Sequence, residues 1–303
     1  AWINGGLNRR TLIGAILGGS AVAFTISGLL LLDSPESLLL VLLIALLTAT
    51  IWNIITWKFG LPSSSTHSLI GGLIGGGIAA AGTGSIYWGL DELVNPPYEV
   101  TGLVKILLFF VVSIVIGFVG SYLMRKSTRV FLRNAQKTIN RPIVFLNWCA
   151  AAAMAFFNGA NDSQKQLGII ALALFTAGLS TAVEVPFWAR VACAILIAIG
   201  TLSGGWRIMH TLGRRIFKIE PIHSFDSQVF SSSSIALSTL AGAPVSSTQI
   251  ITMSVVGVGA AENPRKVKWS VGTHILVAMI GTMPVTIVIS ALLYSVVSLL
   301  AGV

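Results

Sequence analysis

"GLPSSSTHSLIGGLIGGGI", residues 60–78, sets a proline and five hydroxyl side chains (Ser63, Ser64, Ser65, Thr66 and Ser68) around His67, inside strongly apolar sequence. Without gaps, 182 residues further on, it aligns with "GAPVSSTQIITMSVVGVGA", residues 242–260. Seven of the nineteen positions are identical: Gly60/Gly242, Pro62/Pro244, Ser64/Ser246, Ser65/Ser247, Thr66/Thr248, Gly75/Gly257 and Gly77/Gly259. Chance likeness between apolar segments matches Leu and Ala, not a P-x-S-S-T core, so the two stretches read as copies of one unit.

The surrounding sequence is that of a membrane protein. Of 303 residues 54% are hydrophobic and 10% charged, and the mean hydropathy is +0.87, too greasy for a soluble domain of this length. Runs at 12–32, 38–57, 103–124, 188–206 and 269–300 are long enough to cross a hydrocarbon core of about 30 Å. No strand-like alternation appears, which argues strongly against a β-barrel. The first run continues at full span length, so no cleavable signal peptide is expected. Cys149 and Cys193 lie in apolar segments and read as core residues with no disulfide or metal role.

Charge sorts by loop. Basic residues cluster at Arg9–Arg10, at 125–141, at 207–218 and at 265–268, whereas Asp33, Glu36, Asp91, Glu92, Glu99 and Glu184 occupy the alternate loops. A net charge of +9 distributed this way marks cytoplasmic loops and not a nucleic-acid surface. Tracing the chain between basic and acidic sides makes 38–81 a hairpin that opens outward and 225–261 one that opens inward. The expected fold is therefore an all-α polytopic membrane protein of inverted-topology repeats, each with a re-entrant helical hairpin. The first repeat spans 1–124, a basic cytoplasmic linker 125–146, and the second repeat 147–303 with a broken helix at 148–181. "GAND" at 159–162 lies 83 residues before Gly242, so a counterpart is expected roughly 23 residues before Ala1. The first repeat is thus expected to lack its first helix here.

The chemistry sits at three places. "FFNGANDSQKQLGIIALAL", 156–174, puts Asn158, Asn161, Asp162, Gln164 and Lys165 in the middle of an apolar segment, with Gly159 and Gly168 weakening the helix. Charges at that depth face a partner or a cavity, and Asp162 and Lys165 are spaced to pair along a helix. Either a structural ion pair or a binding site on a broken helix satisfies that pattern. The two S-S-T tips begin helices, where unpaired N–H groups and the helix dipole favour an oxyanion and the hydroxyls add donors or cation ligands. Beside Asp162, monohydrogen phosphate has a proton to donate that sulfate lacks, which favours phosphate. His67, aligned with Gln249, is a candidate proton-linked group together with Asp162, although the Gln implies that hydrogen bonding suffices at this position. Asn53, in "WNIITW", either points an amide at the site or satisfies a backbone group.

These residues resemble the inorganic phosphate transporter (PiT) family of secondary symporters. "WNIITWKFGLPSSSTH", "GANDSQKQLGIIALAL" and "GAPVSSTQ" occur in the family's order and cover most of the chain. The resemblance implies alternating access with phosphate and Na+ or H+ bound at the tips and broken helices. Carried over, phosphate would be held by Ser64, Ser65, Thr66, Ser246, Ser247, Thr248, Gln249, Asn161 and Lys165, and the coupling ion by Asp162, Asn161 and Asn53. Lys165 stands where the family often has asparagine; its ammonium would either occupy the place of a Na+ or pair with phosphate, which leans the coupling toward protons. The expected protein is no enzyme, has no cofactor beyond its coupling ion, and sits in the cell membrane, with lipid contacts and a homodimer as expected partners. A sulfate permease of the same fold is the near alternative. An intramembrane serine hydrolase pairing a serine with His67 or Lys165 is more distant, because only one tip has the histidine. Paired tips suit alternating access better than an anion channel.

Overall fold

The computed structural model describes residues 2–61, 63–96, 98–133, 140–204, 217 and 219–301. Pro62, part of the linker and most of the 207–218 basic loop lie outside the described residues. Among the described residues the α-helices are α1 (Trp2–Leu17), α2 (Ala21–Ser27), α3 (Pro35–Lys58), α4 (Ser65–Ala81), α5 (Asp91–Val94), α6 (Gly102–Phe131), α7 (Asn140–Thr176), α8 (Phe187–Gly204), α9 (Pro221–Leu240), α10 (Ser247–Glu262) and α11 (Trp269–Ala301). The one β-type pairing among the described residues is a bridge between Leu30 and Ile86. Among the described residues four helices, α3, α6, α7 and α11, are long and apolar enough to cross a membrane, and the bent pair α1–α2 would make a fifth span if it counts as one.

The breaks in the apolar segments do not fall where expected. The run at 12–32 is not one straight span: α1 and α2 meet at 64°. Gly19 takes φ +82°, open to glycine and costly for other residues, and the corner is clamped from outside. Gln164 Nε2 donates to Gly18 O while its Oε1 accepts from Val22 N at 2.9 Å. Arg190 donates to Gly19 O at 2.7 Å and to the Ser20 hydroxyl. Conversely, the break expected within 148–181 is absent, since α7 is one unbroken helix. Its glycines admit neighbours and do not unwind the chain: a Cβ on Gly159 would lie 2.1 Å from the Thr11 carbonyl oxygen. Asn161, Gln164 and Lys165 of α7 find partners on other elements without any break in the helix. Cys193 is buried as expected, but Cys149 is exposed.

Helices α3 and α4 form one hairpin and α9 and α10 another. Gly72 lies against Ala45 and Gly76 against Val41, the reversed order of an antiparallel pair. Helix α4 is buried from Thr66 to Gly77, and each hairpin's second arm packs on a long helix: α4 on α11 and α10 on α6. These crossings are backbone to backbone. A Cβ on Gly75 would come 2.1 Å from Ile287 O, and one on Gly257, its aligned partner, 2.3 Å from Phe118 O. The base of the second hairpin is ionic. Arg125 of α6, expected among loop charges, is instead buried; its Nε donates to Glu262 at 2.8 Å and its guanidinium meets Asp226 at 3.3 Å. Thr128 Oγ1 donates to the other Asp226 oxygen at 2.7 Å.

Valine at Gly257 or Gly75 must push a carbonyl-bearing backbone aside, a cost of about 1–3 kcal/mol or more. Thermal unfolding in detergent should show it, with Gly281→Ala, where a Cβ meets nothing within 4 Å, unchanged. Arg125→Met strands the buried Asp226 carboxylate and should destabilise by about 3–5 kcal/mol in the same assay.

Candidate functional site

The two hairpin tips share one backbone design. Gly60 and Gly242 both adopt left-handed φ, +66° and +67°. Gly60 N donates to Trp57 O and Leu61 N to Thr56 O; Gly242 N donates to Thr239 O and Ala243 N to Ser238 O, the same bonds 182 residues on. This glycine-terminated helix end satisfies the last carbonyls of α3 and α9 and turns the chain back. The second arms then start alike, with Ser64 and Ser246 as extended N-caps (φ −103° and −92°). Only Ser64 closes the cap with its side chain, accepting from His67 N at 3.1 Å.

The tips touch. Thr66 Oγ1 donates to Val245 O at 2.9 Å, and Gln249 Nε2 donates to His67 Nδ1 at 3.1 Å. The His67 ring also packs edge-on against Phe110, with ring centroids 4.3 Å apart. Helix α7 passes beside this junction. Lys165 Nζ donates to Thr66 Oγ1 at 2.6 Å, to Asp162 Oδ1 at 2.7 Å and to Val245 O at 2.8 Å. Ser247 Oγ reaches Asp162 Oδ2 at 3.5 Å. Asn161 Nδ2 donates to Thr239 Oγ1 at 2.9 Å. The Lys165 side chain is 2% exposed but that of Asp162 26%, so the pair is buried on one side and open on the other.

Thr66, His67, Asn161, Asp162, Lys165, Ser247 and Gln249 thus come together. Ser64 is spent on its cap, Ser246 is buried at the other cap, Ser65 is exposed and Thr248 half-buried. Asn53 stays within its own hairpin, where its Oδ1 accepts from Ser63 at 3.4 Å and Ser68 at 3.5 Å. Two acceptors at the junction, Asn161 Oδ1 and Gln249 Oε1, are buried with no hydrogen-bond donor among the described residues. Unpaired buried acceptors are costly. Sequence reasoning missed Thr239 as the partner of Asn161. The signal was available, since Thr239 ends the hydroxyl-rich "SSSSIALSTL" of α9 just before the aligned tip.

A family model described as "Phosphate transporter family" matches residues 10–290. A "Probable low-affinity inorganic phosphate transporter" of Rhizobium meliloti (strain 1021) is 40% identical over 263 residues, 86% of this chain and 75% of that protein. One of the same description from Mycobacterium tuberculosis (strain ATCC 25618 / H37Rv) is 35% identical over 294 residues, 96% of this chain and 67% of that protein. Among solved structures, "The sodium-dependent phosphate transporter" superposes with a TM-score of 0.83 at 22% identity, covering 98% of this chain and 89% of that one.

Thr66 is the hinge pin of the junction, because its hydroxyl accepts from Lys165 and donates to Val245. Thr66→Val leaves one ammonium proton unpaired in a buried place and should cost about 1.5–3 kcal/mol. Thermal unfolding of the purified variant should show this loss, and Ser65→Ala, on the exposed side of the same turn, should show none.

Proposed function

Since the chain belongs to the phosphate transporter family, we propose that it is an integral membrane importer of inorganic phosphate that works by alternating access, driven by H+ or Na+. Two inverted repeats would carry the two hairpins, entering from opposite faces of the cell membrane with the basic loops cytoplasmic. The observation that carries the reading is the contact of the two S-S-T tips beside Asn161, Asp162 and Lys165. Hydroxyls and helix N-termini supply donors to phosphate oxygens. The orphaned acceptors Asn161 Oδ1 and Gln249 Oε1 supply what an anion site normally lacks, a seat for a proton that the ligand itself carries. Monohydrogen phosphate has that proton; sulfate does not, and a buried acceptor left unpaired discriminates against it.

Closing the site around a polyanion requires charge compensation in a low-dielectric space. Lys165 and Asp162 cancel each other, so the compensation comes from the coupling ion. A loaded, compensated site can reorient between the two faces, while a half-loaded one is held by the cost of carrying net charge through apolar surroundings.

In proteoliposomes, uptake of labelled phosphate should be suppressed by excess unlabelled phosphate and spared by equal sulfate; the reverse pattern would assign the site to sulfate. H+ and Na+ gradients imposed separately identify the coupling ion. Asp162→Asn leaves the ammonium without its anion and should abolish gradient-driven uptake while the protein still elutes as a monodisperse species. Unimpaired uptake in that variant contradicts the mechanism.

A further inference from the structure

Among the described residues Lys165 is the bulkiest of the fully buried side chains, and its charge is fully spoken for. An ammonium has three N–H bonds and accepts nothing. Three oxygens take all three: the Thr66 hydroxyl at 2.6 Å, the Asp162 carboxylate at 2.7 Å and the Val245 carbonyl at 2.8 Å. No N–H is left to reach an anion, so direct pairing with phosphate would require breaking one of these bonds. A carboxylate, a hydroxyl and a backbone carbonyl together form the hard-oxygen set that suits an alkali cation. They come from the three segments that meet at the junction: α7, the first tip and the second tip.

We infer that the Lys165 ammonium is a tethered cation, filling an alkali-ion position between the two hairpin tips, so that this position neither binds nor requires Na+. A free ion bound there would cross with the substrate and lend its gradient to transport. A tethered one returns with the protein each cycle, so it holds the tips together and neutralises Asp162 without contributing to the driving force. The geometry stands alone, and only this consequence for coupling rests on the transport reading.

Replacing the side chain separates the position from the charge. Lys165→Asn withdraws the ammonium, clears its space and leaves an amide oxygen near the same three oxygens, which opens the position to Na+. Lys165→Met removes the charge but refills the space with an apolar chain. Purified in detergent and moved from choline to saturating Na+ at constant ionic strength, Lys165→Asn should gain about 3 °C or more in unfolding temperature. The wild type and Lys165→Met should shift by less. In proteoliposomes, replacing Na+ by choline should depress phosphate uptake by Lys165→Asn far more than by the wild type. A shift in Lys165→Asn no larger than the wild type's overturns the inference. So does failure of both Lys165→Asn and Lys165→Gln to fold in Na+ buffer, which would make the ammonium a strut that no ion replaces. Na+-specific stabilisation of Lys165→Asn, with no phosphate movement by the wild type, would keep the tethered cation and sink the transport reading instead.

Discussion

A primary ammonium withdrawn from water must be given acceptors for every proton it carries, and in this chain that requirement falls on Lys165. An unsatisfied charge at this depth would cost several kcal/mol, more than any single helix contact returns. Its three oxygens belong to α7, the first hairpin tip and the second, so the two tips cannot sit elsewhere without exposing that cost. The same helix organises its other side. Asn161 and Lys165, four residues apart, face the tips, while Gln164 and Gly168 face the bend between α1 and α2, where Gln164 serves a carbonyl on one side of the corner and an N–H on the other. A continuous α7 is what allows both duties, because an unwound segment would lose the fixed angular relation between the two faces.

The helical membrane architecture and the likeness of the two tips were legible in hydropathy and in the P-x-S-S-T repeat. The likeness extends further back than the aligned letters, into Thr56, Trp57, Ser238 and Thr239, whose carbonyls receive equivalent turn bonds although the side chains differ. Backbone hydrogen bonding constrains geometry without constraining those side chains, so sequence comparison stops short of it. The misplaced break has a similar origin. Polar residues beside Gly159 look like an interruption when their partners are unseen, but Thr66, Val245 and Thr239 are at least 78 residues away in sequence. The actual corner, "GGS" at 18–20, carried the usual breaker residues and was masked by uninterrupted hydropathy on either side. Arg125 was equally opaque: it adjoins a basic linker, while the acids that claim it, Asp226 and Glu262, lie 101 and 137 residues on.

The hairpins, alike at their tips, diverge at their bases. Position 226 is an aspartate locked to Arg125, whereas position 44, its equivalent 182 residues earlier, is Ile44 within an apolar cluster. One hairpin is anchored by directional, charge-assisted bonds and the other by non-directional burial, forces that respond differently to temperature and to water.

The contact between His67 and Gln249 has a consequence of its own. Their separation in the chain, 182 residues, is the offset that superimposes one tip on the other, so each is touching its own counterpart. A residue in that place faces a mirror of its role. Were both positions the same amino acid, that amino acid would have to donate to and accept from itself, which an amide can do in either direction. Imidazole and amide together need no such self-complementarity: the amide gives the proton, the ring nitrogen takes it, and the direction of the bond is set. The direction of the junction is therefore set at this unlike pair, as it is at the one-way bond from Thr66 to Val245.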